Sequence, residues 1–123
     1  MEMKFYVCKI CGNIISYVKR SGVKVICCGQ EMEEIAPNTV DASAEKHVPV
    51  MSAKIGKLIV KIGSAEHPMT PEHHIEWIAL QTEKGNQRKQ LQIGHKPEVE
   101  FCMSPGDKVL AVYAYCNLHG LWK

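Results

Sequence analysis

The sequence predicts an all-β protein in two parts, a small metal-clipped segment followed by a β-sandwich. Three observations carry that expectation. Four cysteines fall in the first quarter of the 123-residue chain, as Cys8-Lys-Ile-Cys11-Gly12 and Cys27-Cys28-Gly29. Downstream, apolar and polar residues alternate at the period of a strand: Leu58, Val60 and Ile62 against Lys57 and Lys61, then Ile75-Glu76-Trp77, then Leu91 and Ile93 around Gln92. Turn signals at Ile55-Gly56, Glu83-Lys84-Gly85-Asn86, Gly94-His95-Lys96-Pro97 and Ser104-Pro105-Gly106-Asp107 divide these runs at the spacing of a sandwich, which ends on a strand at 109–115. No amphipathic helix, internal repeat or low-complexity tract is read.

The first element is a knuckle, a hairpin through 13–18 with a turn at Arg20-Ser21-Gly22, and a second knuckle. A segment of under about 40 residues buries too little apolar surface to fold alone, so a metal is expected to supply the missing stability. The boundary is placed at Ala36-Pro37-Asn38, giving domains 1–36 and 37–123.

Bulk properties exclude several function classes. The chain is 46% hydrophobic with a net charge of +2, and its lysines are scattered rather than striped, so neither nucleic-acid nor membrane binding is expected. Apolar runs are broken within a few residues, and the N-terminal stretch has no signal-peptide core, so a cytoplasmic location is expected. In that setting six cysteines read as metal ligands or redox groups rather than disulfides.

Two metal sites follow. A Cys-x-x-Cys followed by glycine, closed by a second cysteine pair across a hairpin, makes a four-thiolate tetrahedron that zinc or a single iron accepts. Such a shell leaves no position for substrate. The second site is the terminal Cys116-Asn-Leu-His119 with His47, His67 and His73-His74 upstream, all near strand ends that one sandwich rim can gather. Several imidazoles around one thiolate exceed the usual four ligands of zinc and the two His and one Cys of copper electron carriers, and so point to iron. A cupredoxin-like copper carrier and a zinc-clipped interaction module are the competing readings. His95, in a Gly-His-Lys-Pro turn, is expected at the surface, and Cys102 is expected to be a buried apolar residue.

Taken in order, Cys-x-x-Cys, Cys-Cys, Glu45-Lys46-His47-Val48-Pro49, His67-Pro68-Met69 to His73, Ile75-Glu76-Trp77-Ile78 and Cys116-Asn117-x-His119 resemble desulfoferrodoxin, the two-iron superoxide reductase family, over nearly the whole chain. The resemblance implies a desulforedoxin-like domain whose Cys8, Cys11, Cys27 and Cys28 hold one iron, Fe(Cys)4, ahead of an immunoglobulin-like β-sandwich holding a second, catalytic iron, Fe(His)4(Cys). It implies His47, His67, His73 and His119 as equatorial ligands and Cys116 as the axial thiolate, with the sixth position left for superoxide. Glu45 is then expected to occupy that position in the oxidised state, and Lys46 to lie on a mobile loop over the open face. A rubredoxin-like electron donor and a homodimer are implied as well. One departure is His74, where family members commonly carry an aromatic residue; on a strand it would point away from His73, and it is read as non-ligating.

Overall fold

A computed structural model describes residues 2–123. Two compact units divide at Ala36 and Pro37. The first holds five two-residue strands: β1 (Tyr6–Val7), β2 (Ile14–Ile15), β3 (Ile26–Cys27), β4 (Gln30–Glu31) and β5 (Glu33–Glu34). β1 lies between β2 and β5 in an antiparallel sheet, and β3 pairs with β4 as a separate hairpin. Its buried cluster is Tyr6, Cys8 and Met32, edged by Ile15, Tyr17 and Cys27, with Phe5 also buried. So small an apolar cluster cannot offset the chain entropy of ordering some 35 residues, which is why the cysteines matter to this unit's stability.

The second unit, Pro37–Lys123, is the sandwich. After one helical turn, α1 (Ala44–His47), come β6 (Pro49–Lys54), β7 (Lys57–Ile62), β8 (Ile75–Thr82), β9 (Gly85–Gln90), β10 (Glu98–Cys102), β11 (Val109–Cys116) and β12 (Gly120–Trp122). They form two antiparallel sheets, β10-β7-β6 and β12-β11-β8-β9. The alternation in β7 does what period two requires: Leu58, Val60 and Ile62 enter the core while Lys57 and Lys61 stay out. They meet Phe101 from β10, Ile75, Ile78 and Leu80 from β8, and Val112, Ala114 and Cys116 from β11. Cys116 is thus both the last residue of the core and the first of the site.

A β-bulge makes that double role possible. β11 and β8 pair Tyr115 with Trp77 but Cys116 with Ile75, so Glu76 is skipped and the strand phase is reset at the sandwich rim. Cys116 then opens a hairpin to β12, pairing with Gly120 across the three-residue loop 117–119. Gly120 has φ +76, the left-handed conformation that closes such a loop.

Several elements differ from the sequence expectation. Leu91 and Ile93 belong to the loop after β9; the strand there is the polar run Gly85–Gln90, an edge strand that needs no apolar face because it pairs only with β8. Cys102 is exposed, since Phe101 takes the inward position of β10 and its neighbour must face out. Neither α1 nor β12 was expected. No helix among the described residues is long and apolar enough to cross a membrane.

Candidate metal centres

The four N-terminal cysteines place their sulfurs within 4.8 Å of one another. Cys11 and Cys27 are 3.6 Å apart, close to the roughly 3.8 Å edge of a tetrahedron with metal–sulfur bonds of about 2.3 Å. The first knuckle is a tight turn in which the Gly12 N–H donates to the Cys8 carbonyl and the Cys11 N–H reaches the Cys8 sulfur at 3.5 Å. In the second, neighbouring cysteines would point apart on an extended chain. Cys28 avoids this by adopting φ +52, with Gly29 following at +74. That backbone strain in a non-glycine residue is what brings both sulfurs to one centre.

Protonation supports a cation there. The Cys11 N–H lowers the Cys8 thiol to about 6, while the neighbouring Cys11 and Cys8 sulfurs push Cys28 up to about 12. One sulfur ionises readily and its neighbours then resist. Four thiolates coexist only around a positive charge.

At the sandwich rim the arrangement is a ring. Imidazole centroids are 4.6 Å apart for His47 and His67, 4.6 Å for His67 and His73, 5.0 Å for His73 and His119, and 4.9 Å for His119 and His47. The diagonal from His47 to His73 is 6.2 Å. Adjacent rings stand nearly perpendicular, at 75° to 85°. Four imidazoles therefore mark the corners of a square around one point. Cys116 completes a cluster with His47, His67 and His73 whose ligand atoms lie within 4.8 Å, and the His119 Nδ1 is 3.9 Å from the Cys116 sulfur.

Which ring nitrogen faces the centre follows from hydrogen bonding. The one-turn helix α1 sets His47 above Ser43, and its Nδ1–H donates to the Ser43 carbonyl at 2.6 Å. The His67 Nδ1–H donates likewise to the Pro68 carbonyl at 2.7 Å. A carbonyl only accepts, so both Nδ1 atoms carry the proton and both Nε2 atoms present bare lone pairs. These lone pairs face each other at 3.1 Å, and the His119 Nδ1 lies 3.0 Å from the same His47 Nε2. The His73 Nε2 is buried with no hydrogen-bond partner at all. Adjacent nitrogens on a metal with bonds of about 2.1 Å at right angles would be roughly 3.0 Å apart. Three ε-nitrogens and one δ-nitrogen thus fit a single cation.

Burial removes the competing cation, the proton. His47 and His67 are 2% and 1% exposed, and desolvation lowers His47 and His73 and brings His67 to about 4. These three rings stay neutral and available as ligands. Cys116 is buried completely, which raises its thiol, opposed by the backbone N–H groups of His119 and Leu118. Its thiolate needs the metal.

Glu45 and Lys46 are exposed on α1. The Lys46 charge disfavours protonation of both His47 and His73, so it is felt across the ring. The helical turn is not loose: Ala65 N–H and the Ser64 hydroxyl donate to the Glu45 carbonyl, and Gly63 N–H to the Val48 carbonyl. Gly63, at φ +85, packs so tightly that a Cβ would collide with the Ala65 carbonyl and come 2.7 Å from that of Lys46. Lys46 therefore has an anchored backbone and a free side chain. His74 stands outside the ring, its Nδ1 bonded to the Thr70 carbonyl, and His95 is exposed.

The Desulfoferrodoxin profile matches residues 39–123, and the Desulfoferrodoxin N-terminal domain profile matches residues 1–35. The chain belongs to the desulfoferrodoxin family. It is 44% identical over 121 residues to the desulfoferrodoxin homolog of Archaeoglobus fulgidus, covering 98% of this chain and 95% of that one. It is 42% identical over 122 residues to the desulfoferrodoxin of Nitratidesulfovibrio vulgaris, covering 99% and 95%. Among solved structures, the superoxide reductase of Treponema pallidum superposes with a TM-score of 0.83 at 39% identity, covering 99% of this chain and 98% of that one.

This desulfoferrodoxin-family site includes a residue that spacing does not reveal. The Trp122 indole stacks on His47 at 4.6 Å and 26°, and its Nε1–H donates to the His119 carbonyl at 3.1 Å. It therefore braces two adjacent corners of the square. A tryptophan three residues beyond a candidate ligand is the only signal the sequence offered. Trp122→Ala removes both contacts and is expected to weaken metal retention about ten- to a hundred-fold. Trp122→Phe keeps a stacking ring and is expected to lose less. Metal per chain after dialysis against a graded chelator measures the difference.

Proposed function

We infer that this protein is a superoxide reductase, reducing superoxide by one electron to hydrogen peroxide. The observation that carries this reading is the square of four imidazoles beside one buried cysteine, a donor set that holds a metal firmly yet does not enclose it. The superoxide reductase of Treponema pallidum superposes on nearly the whole chain, and the two ligand clusters fit two iron centres: Fe(Cys)4 for Cys8, Cys11, Cys27 and Cys28, and Fe(His)4(Cys) for His47, His67, His73 and Cys116 with His119 beside them. We propose these residues as the ligands, with 1–36 as the Fe(Cys)4 domain and 37–123 as the catalytic domain. A copper electron-transfer site would use two of the imidazoles and leave two aimed at the same point without a role.

Iron at the second centre would supply the electron that superoxide takes up, and two protons from the surroundings complete hydrogen peroxide. The residues supply the rest. Neutral imidazoles add no charge, so the pull on a small anion comes from the metal and from Lys46. Cys116, buried and held by two backbone N–H groups, is proposed as the thiolate that pushes electron density toward the open face. Lys46 is proposed to steer superoxide and to sit beside it as a proton source, its side chain reaching out from the backbone pinned by residues 63–65. Glu45 on the same turn is proposed to cap the face once the electron has left. The first centre, with no open position, serves as electron relay or structural clip. A rubredoxin-like carrier is the proposed donor, and a homodimer in the cytoplasm the proposed form; six free cysteines suit a reducing compartment.

Lys46→Ala is expected to slow the second-order reaction with superoxide about ten-fold at low salt and to flatten its salt dependence. Equal rates by pulse radiolysis would remove the steering role. Cys116→Ser is expected to abolish the thiolate-to-iron charge-transfer band together with most of the turnover. A variant that lost the band and reduced superoxide at the wild-type rate would refute the axial assignment.

A further inference from the structure

The ring holds its members in unequal ways. His47 and His67 are each fixed by a ring nitrogen bonded to a carbonyl one to four residues away, and His119 follows Cys116 through a three-residue hairpin loop. His73 stands alone on the loop at residues 70–74, with its Nε2 bare. What fixes that loop is Asn117. Its Oδ1 accepts the His74 N–H at 2.9 Å, its Nδ2 donates to the Glu72 carbonyl at 2.9 Å, and its own N–H donates to the His74 carbonyl at 3.1 Å. Three hydrogen bonds thus join the residues on either side of His73 to the residue that follows Cys116. They span more than 40 positions of sequence.

The loop has internal ties as well. Thr70 Oγ1 both donates to the His73 carbonyl and accepts the His73 N–H, each at 3.1 Å, and the His74 ring bonds the Thr70 carbonyl. These bonds give the loop a shape but no location. The ladder pairing of Ile75 with Cys116 brings the end of the loop near the sulfur, and the Asn117 carboxamide is the side chain that ties the residues on either side of His73 to that point.

We propose that Asn117 is a positioning residue of the Fe(His)4(Cys) centre, a clasp whose carboxamide holds His73 at the fourth corner of the square opposite His47. An amide is suited to this because it presents one acceptor and one donor in a fixed plane, and here each has a backbone partner. Asp at this position keeps the acceptor for the His74 N–H but sets a carboxylate against the Glu72 carbonyl. Ala keeps neither. The proposal rests on the superoxide reductase reading for the identity of the metal, whereas the clasp itself is a matter of hydrogen bonds between two ligand-bearing segments.

The test uses the iron-loaded full chain as wild type, Asn117→Ala, Asn117→Asp and, as a control, Thr82→Val. Thr82 bonds Gly85 and Asp107 at the turn joining β8 to β9, the other end of β8 from the loop that carries His73. Two quantities are read: the rate at which a ferrous chelator removes iron from the second centre, and the position of the thiolate-to-iron charge-transfer band. Asn117→Ala is expected to release iron at least ten-fold faster with a displaced band, Asn117→Asp to fall between it and wild type, and Thr82→Val to match wild type in both. Wild-type release and band position in Asn117→Asp and in folded Asn117→Ala would overturn the clasp. Equal acceleration in Thr82→Val would overturn it too, by reducing the effect to general loosening. Absence of the band from the wild-type protein would instead overturn the assignment of the centre, and the clasp as a device for iron with it.

Discussion

Four imidazoles and a sulfur converge at the sandwich rim, the His47, His67 and Cys116 contacts with their neighbours at 3.0 to 3.9 Å and the His73 nitrogen within 4.8 Å of them, and at least two of the nitrogens present lone pairs toward one another. Without a cation between them such an arrangement is repulsive, and burial denies the site a proton as the substitute. The remainder of the second unit is arranged around that constraint. The β-bulge at Glu76 turns Cys116 inward, the glycine-closed hairpin returns His119 to it, one helical turn delivers His47, and Trp122 braces two corners. Because the metal reconciles groups that the fold has already paired at close range, its binding free energy is in large part folding free energy.

The two centres divide the chemistry by donor type. Four thiolates neutralise and enclose their metal, so the first centre passes electrons or clips a unit with only a few buried residues of its own. Four imidazoles and one thiolate would leave net positive charge on a divalent iron and, being five donors, would leave a sixth position open. The turn that delivers His47 has its backbone fixed by Gly63, Ser64 and Ala65, while its side chains Glu45 and Lys46 are exposed. An anchored backbone with exposed charges suits a substrate that arrives by diffusion and leaves as a neutral molecule.

Much of this was legible in the sequence, because the ligands themselves are chemically conspicuous. Cysteine pairs followed by glycine, and histidines at strand ends, announce metal sites, and alternation in β7 located one wall of the core. What stayed hidden depended on three-dimensional pairing. β9 is polar on both faces and its existence follows only from β8 beside it. Cys102 was expected inside, but a two-residue period with Phe101 inward forces it out. The turn α1 is too short to leave a periodic pattern, and the braces on the ring act through distant partners, Asn117 on Glu72 at 45 positions and Trp122 on His47 farther still along the chain. The unusual Cys27-Cys28 pair could be read as a ligand pair, yet only the left-handed Cys28 explains how both sulfurs reach one centre.

The central claim is that one chain carries an all-thiolate iron and a second iron bound by four imidazoles and a single thiolate. Iron content per chain, measured with the visible spectrum of the oxidised protein, tests it most directly. The account predicts two irons per chain and two separable sets of thiolate-to-iron bands, with one set attributable to a single sulfur. A single iron per chain, or a colourless protein filled with zinc, would contradict it.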